Sequence, residues 1–432
     1  MAIILKIAIT IIIAITIDYF PLVWYFCNDF DERSLKMIGM KKLIFLSGCL
    51  IASCAALFAA DEQQLFDAVK SKNLSRVNMY SYANANQLFK QGGKAMTAFQ
   101  LAVENRDVII ADALLSDGNA DVNADFGIEP PLFIAVRNND TAMIELLMNH
   151  GADINVSFKN TVPIIYAITN GGGNGGDMIK TMIRTAKNNN QRINLAYRDV
   201  EGRSVLDYAV TGGDFETGQG TAGADVVATI LQISGADNLL KSKDGTGNTP
   251  IHWCVKGGAN AAVFRHLIAR PAGAEACNIL NNDGFTPLAL FLYMTESQQN
   301  FVAWEILNGF LNVPGFKVSA MAMPTNYGGD NGIFRLIRRG ASSEREMITC
   351  LETITRNDKT LASFTDANGI PMLCIAIHED WNPAIVECLI KNYRGDWKKI
   401  REGGRGGKNA IEIMRANHSE DLYQDIFDLY MN

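Results

Sequence analysis

One short pattern recurs along this chain, and its spacing excludes a single globular core. A step that opens an apolar run, led by proline or a substitute, falls at Ala98, Pro131, Pro163, Val205, Pro250, Pro287 and Met372. Successive spacings are 33, 32, 42, 45, 37 and 85 residues. A compact residue follows four positions after the step at Ala102, Ala135, Ala167, Ala209, Cys254 and Ala376, and Phe291 breaks the rule. Glycine stands three positions before it at Gly202, Gly247, Gly284 and Gly369, with an acidic turn partner at Asp199, Asp244 and Asp366. These registers agree with one another, as expected of one supersecondary unit repeated. No such unit buries its apolar face alone, so the chain must stack its units to make a core. The 85-residue interval has room for two units, which places a degraded one between Gly315 and Phe364.

The clearest unit runs from Asp125 to Asn155 and reads DFGIEPPLFIAVRNNDTAMIELLMNHGADIN. It contains a turn, a TPLHxA-like helix start, a Leu-rich second helix and a GAD-[VI]-N close, in that order. This resembles the ankyrin repeat, whose period is about 33 residues. The resemblance implies a mainly α fold: an ankyrin-repeat solenoid of helix-turn-helix units with β-hairpin-like fingers, about eight repeats plus terminal caps. It covers residues 61–432, strongly over 94–290 and 365–391. Within it, 61–92 is expected to be an N-terminal cap or divergent repeat and 94–310 the main repeats. Residues 315–364 would be the degraded repeat, 365–400 a further repeat and 403–432 the closing cap, whose Glu420, Asp421 and Asp425 would face water.

The length of 432 residues exceeds what one hydrophobic core fills, which agrees with an array. A net charge of −7, with scattered Lys and Arg, speaks against a nucleic-acid partner, because phosphate binding requires a cationic surface.

Two hydrophobic segments precede the repeats. From Met40 the chain reads MKKLIFLSGCLIASCAALFAADEQQ: a charged start, an apolar stretch over 43–58 and small residues at Ala59 and Ala60, the order of a secretory signal peptide over 40–60. The stretch is shorter than the roughly 20 apolar residues that span a bilayer. Acylation of Cys54 in the lipobox-like IASC is the alternative to cleavage. Residues 1–39 form an Ile-rich extension broken by Asp18 and Pro21. It is read as untranslated sequence upstream of a true start at Met40, with a membrane anchor as the alternative. The implied location is exported, periplasmic or secreted, or membrane-anchored.

The wide spacings come from glycine-rich insertions. GGGNGG at 171–176 and TGGDFETGQGTAGAD at 211–225 occupy the same junction between the two helices of a unit. Lengthening a loop costs only about 0.6 kcal/mol per doubling, so they persist without function or serve as grip elements.

Tests for chemistry fail. EGGRGGKNA at 402–410 has Glu402 where a phosphate-binding loop needs glycine and Asn409 where it needs Ser or Thr. The histidines are His150, His252, His266, His378 and His418, and they form no HExxH string or zinc spacing. His252 fills the histidine of the TPLH step, which in the family bonds neighbouring turns. Cys254, Cys277, Cys350, Cys374 and Cys388 read as buried small hydrophobes, with a Cys374–Cys388 disulfide as an open alternative. The expectations are therefore no catalytic residue, no metal, no cofactor and no evident small-molecule substrate.

What remains is protein binding. The resemblance implies a partner along the finger tips and first helices. Five positions before the step, Phe126 and Phe158 occupy one register on adjacent fingers, either as interface anchors or folded onto a neighbouring finger. The functional expectation is a non-enzymatic interaction module or scaffold outside the cytoplasm of a bacterium. The alternatives are a secreted effector that binds a host protein and a periplasmic regulator of a partner enzyme.

Overall fold

The structure is a computed structural model and describes residues 61–117, 120–124, 126–170, 175–216, 223–257, 260–297, 304–327, 331–338, 344–357, 359, 361–403 and 406–431. The extension over 1–39, the signal segment over 40–60 with Cys54, and parts of the glycine-rich insertions lie outside these residues. The chain is mostly helical with little strand, as a helical repeat solenoid requires. It divides into two compact units, one ending at Pro131 and one beginning at Leu132.

In the first unit, helices 61–70 and Leu74–Met79 precede a hairpin of strands Leu88–Gln91 and Lys94–Thr97. The two-residue hairpin loop is Gly92-Gly93, both at positive φ (56° and 83°), the geometry that a tight antiparallel turn demands and only glycine adopts cheaply. Phe89 of the hairpin returns onto Phe66 at 4.8 Å between ring centroids. The pair Ala98–Glu104 and Val108–Ser116 follows, and the second helices Leu74–Met79 and Val108–Ser116 pack together.

The second unit repeats this arrangement. Its first helices are Pro163–Asn170, Val205–Thr211, Pro250–Lys256, Pro287–Ser297 and Gly332–Arg338, each packed on the next. Its second helices are Thr141–Asn149, Gly175–Asn188, Ala224–Ile230, Ala261–Ile268, Trp304–Leu311, Glu344–Asn357, Pro383–Asn392 and Glu420–Met431, stacked in the same sequential way. Met372–His378 pairs with Pro383–Asn392 and packs on Ala410–Asn417. The interval over 315–364 thus contains the helices Gly332–Arg338 and Glu344–Asn357.

The core lies between these two layers. Phe264 and Phe310, each about 1% exposed, meet at 4.5 Å across successive second helices, and Ala102, Ala135, Ala167, Ala209 and Ala376 are fully buried where first helices approach closely. Each fully buried Leu, Ile or Phe contributes on the order of 2 kcal/mol, so the sum over the stack stabilises units that are individually marginal. On the outer edge, successive second helices are tied by Arg184–Glu145 at 3.2 Å, Lys180–Asp225 at 2.7 Å and Arg265–Glu305 at 2.7 Å. These pairs are exposed and contribute little each.

The turn between the two helices of a pair has a shared feature. Arg106, Asn139, Asp380 and His418, each eight positions after its helix start, take positive φ between 49° and 58°. In the unit beginning at Val205 the same place is Gly213, at φ 89°. The insertion at 211–225 therefore enters the chain where the turn already needs a left-handed residue.

Candidate functional site

The fingers are built from one local device. In the loops over 199–203, 244–248 and 366–370 the aspartate carboxylate accepts from the backbone N–H groups two and four residues on. Asp199 bonds Glu201 and Arg203 at 3.0 and 2.8 Å, and Asp244 bonds Thr246 and Asn248 at 2.9 Å each. Asp366 bonds Asn368 and Ile370 at 2.9 Å each. Asn281 substitutes for the acid and accepts from Phe285 at 2.9 Å. The loops close on Gly202, Gly247, Gly284 and Gly369, all at φ between 77° and 84°. Adjacent fingers then bond each other, Gly245 N–H to Glu201 O at 2.7 Å and Asn282 N–H to Thr246 O at 3.1 Å.

Two of these glycines separate the effects of conformation and space. A Cβ at Gly369 would meet nothing within 4 Å, whereas at Gly247 it would lie 2.6 Å from the Asn282 backbone nitrogen. Gly369→Ala is expected to cost about 1 kcal/mol from its positive φ alone, and Gly247→Ala about 2 kcal/mol or more because the neighbouring finger must also shift. Denaturant unfolding of the two variants checks this. Equal losses would show that the fingers are not in the close register described.

The first-helix position two after the step ties the helix start to the next finger where it is His252 or Gln100. Thr249 N–H donates to His252 Nδ1 at 3.1 Å, which leaves the proton on Nε2 to donate to Phe285 O at 3.0 Å. Burial lowers the His252 pKa from 6.5 to about 4, against the opposing effects of the Phe285 carbonyl and Asp244, so the ring is neutral. Gln100 does the same work in the first unit, accepting from Thr97 N–H at 3.0 Å and donating to Glu129 O at 2.9 Å. Asp207 occupies this position in the unit beginning at Val205. Its Oδ2 accepts from Ser204 N–H and Oγ at 2.7 Å each, while its Oδ1 is buried without a partner. Burial raises the Asp207 pKa from 3.8 to about 7.

The next position on the first helices carries aromatic rings beside the fingers. Tyr208 donates to Asp199 at 2.8 Å and Trp253 Nε1 to Asp244 at 2.9 Å, so each ring is fixed by the carboxylate that also folds its finger. Phe215, from the 211–225 insertion, stands edge-on to both, 4.9 Å from Tyr208 and 4.9 Å from Trp253. Arg203 lies 3.9 Å over the Phe215 ring and Lys256 4.5 Å over Trp253. Farther along the same unit Phe285, Tyr293 and Tyr327 form a second cluster, with Arg335 5.6 Å over Tyr293 and donating to Tyr327 O at 2.6 Å. Trp253 and Phe285 are buried at the base of these clusters, and Tyr208, Phe215, Tyr293 and Tyr327 are half-buried above them, the kind of aromatic ring beside a cation that protein-binding surfaces use for strong contacts.

Of the residues singled out in the sequence, Phe126 is 40% exposed in the first unit. Phe158, in the second, is half-buried. It packs on Phe133 at 5.6 Å, with Lys159 5.2 Å over its ring and a backbone bridge to Thr161. Tyr208 and Trp253 escaped sequence reasoning, although both stand three positions after the step and Tyr166 shares that register. Cys254, Cys277, Cys350, Cys374 and Cys388 are buried free thiols, and burial pushes the first four up to about 12. Asn409 caps helix Ala410–Asn417 in a reciprocal pair with Glu412, and Gly407 is required because a Cβ there would overlap Glu402 O. Among the described residues no group of three or more His, Cys, Asp or Glu could hold a metal, and no helix is long and apolar enough to cross a membrane.

A family model described as ankyrin repeats matches residues 65–158 in three copies. The ankyrin repeat protein FPV022 of fowlpox virus is 36% identical over 84 residues, 19% of this chain and 14% of the viral protein. The ankyrin repeat protein FPV244 of the same virus is 27% identical over 195 residues, 45% of this chain and 25% of its own length. The chain therefore aligns with a quarter or less of either relative. The family match covers the helix pairs between residues 65 and 158, and this chain carries ankyrin repeats.

Proposed function

We propose that the chain is an exported protein-binding module that holds its partner against the fingers and first helices and performs no chemistry of its own. The observation that carries this reading is the pair of aromatic and cationic clusters, Tyr208, Phe215, Trp253, Arg203 and Lys256, then Phe285, Tyr293, Tyr327 and Arg335, placed beside fingers folded by Asp199, Asp244 and Asn281. Ankyrin repeats are interaction modules, and His252 and the five cysteines are taken up by the fold. His252 is neutral and hydrogen-bonded at both nitrogens, and the cysteines are protonated by burial. Export rests on the signal-like order from Met40 to Ala60.

Cross-linking in the cell that makes the chain, followed by mass spectrometry, tests the binding reading. One stoichiometric protein partner is expected, and its recovery should fall in a Phe126→Ala, Phe158→Ala double variant if the fingers that carry these rings belong to the contact. Turnover of a substrate by the isolated chain would overturn the reading. Sequencing the amino terminus tests export: a start near Asp61 is expected, and a chain beginning at Met1 would contradict it.

A further inference from the structure

We infer that Tyr208, Trp253 and Arg203 form a socket for a phenylalanine in an acidic segment of the partner, and that the chain's own Asp214-Phe215-Glu216 occupies that socket when no partner is bound. The inference rests on the protein-binding reading and specifies its chemistry.

Phe215 does not belong to the repeat. It enters from the insertion at 211–225, at a junction where the units containing Arg106, Asn139 and Asp380 turn directly from one helix into the next. Yet its ring meets Tyr208 edge-on at 86° and Trp253 at 81°, with the Arg203 guanidinium over its face at 3.9 Å. That is an aromatic recognition geometry, two edge contacts and one cation, assembled around a side chain that the stack itself does not supply. The walls are held without it, since Tyr208 and Trp253 are each tied to an aspartate at 2.8 and 2.9 Å. The occupant is presented by a local turn in which Glu216 N–H bonds Asp214 Oδ1 at 3.1 Å, and it carries an acid on each side of the ring. Lys256 stands over Trp253, while Arg203 is shared with Asp199 and Glu201 at 3.8 Å each, so the acidic flanks are read from the occupant's own sequence. A preformed socket filled by a tethered loop segment identifies, by its occupant, the side chain that it accepts from elsewhere.

The test uses the full chain and the peptide acetyl-Gly-Asp-Phe-Glu-amide, followed by saturation-transfer difference NMR. Phe215→Ala is expected to retain its helical circular dichroism and to transfer saturation to the peptide's phenylalanine ring. A socket self-occupied about nine-tenths of the time binds an added ligand about tenfold more weakly, so wild type should require about ten times more peptide for the same signal. The same peptide with alanine in place of phenylalanine should receive no saturation from either chain. Two results would overturn the inference. One is a folded Phe215→Ala chain that binds the peptide no better than wild type. The other is loss of the helical signal in Phe215→Ala, which would make Phe215 a core residue of the unit. No cellular partner enters this experiment, so its failure leaves the general binding reading standing, and that reading fails separately if cross-linking recovers no partner.

Discussion

His252→Ala is expected to destabilise the second unit by about 3 kcal/mol, whereas His252→Gln should lose about 1 kcal/mol or less. Alanine leaves the Thr249 N–H and the Phe285 carbonyl without their buried partner and opens a cavity between neighbouring repeats of the second unit. Glutamine copies Gln100, which accepts from Thr97 N–H and donates to Glu129 O in the equivalent place. Thermal unfolding together with amide exchange over 244–290 would read the difference. Equal losses for the two variants would show that the ring's volume, and not its two hydrogen bonds, joins the helix start to the next finger.

The second large effect concerns Asp207 and depends on pH. Its folded pKa of about 7 lies above the ordinary 3.8, so the folded chain keeps a proton that the unfolded chain releases. The stability it contributes is full below pH 3.8 and is lost as pH rises to about 7, a total of about 4 kcal/mol at 1.36 kcal/mol per pH unit. His252 acts in the opposite sense. Its folded pKa of about 4 lies below 6.5, so its contribution is present above 6.5 and is lost, by about 3 kcal/mol, as pH falls through 4. Between pH 4 and 6.5 the two slopes oppose each other, and wild type should show little net dependence from this pair. Asp207→Asn removes one slope. It is expected to match wild type near pH 4, to gain stability as pH rises, and to exceed wild type by about 4 kcal/mol at pH 8. Denaturation midpoints across this range provide the check. A variant with the wild-type slope would show that Asp207 is already ionised in the fold.

The architecture was legible because a repeat displays the same constraint many times. Proline at Pro250 and Pro287, glycine at Gly202, Gly247 and Gly284, and alanine at Ala102 and Ala135 each answer a backbone or packing demand that any sequence with this fold must meet. The role of His252 was legible in the same way. Gln100 and Asp207, in the equivalent position, were not, because what qualifies a residue there is its hydrogen-bonding groups and not its type. Phe126 and Phe158 share a register, yet one is exposed and the other packs on Phe133, a difference set by neighbours that spacing does not reveal. The Tyr208, Phe215 and Trp253 cluster was hidden for a related reason. Phe215 belongs to an insertion outside the period, and only the folded chain brings it to the two rings.

The proposed function puts the binding face on the fingers and first helices and leaves the ion-paired second helices to hold the stack. Site-specific photocross-linking in the cell that makes the chain tests that placement most directly, with p-benzoylphenylalanine at Tyr208 or Tyr293 on one face and at Lys180 or Arg265 on the other. Adducts to one common protein from Tyr208 and Tyr293, with none from Lys180 and Arg265, are the predicted result. Adducts confined to the outer-helix positions, or none from the finger face, would contradict it.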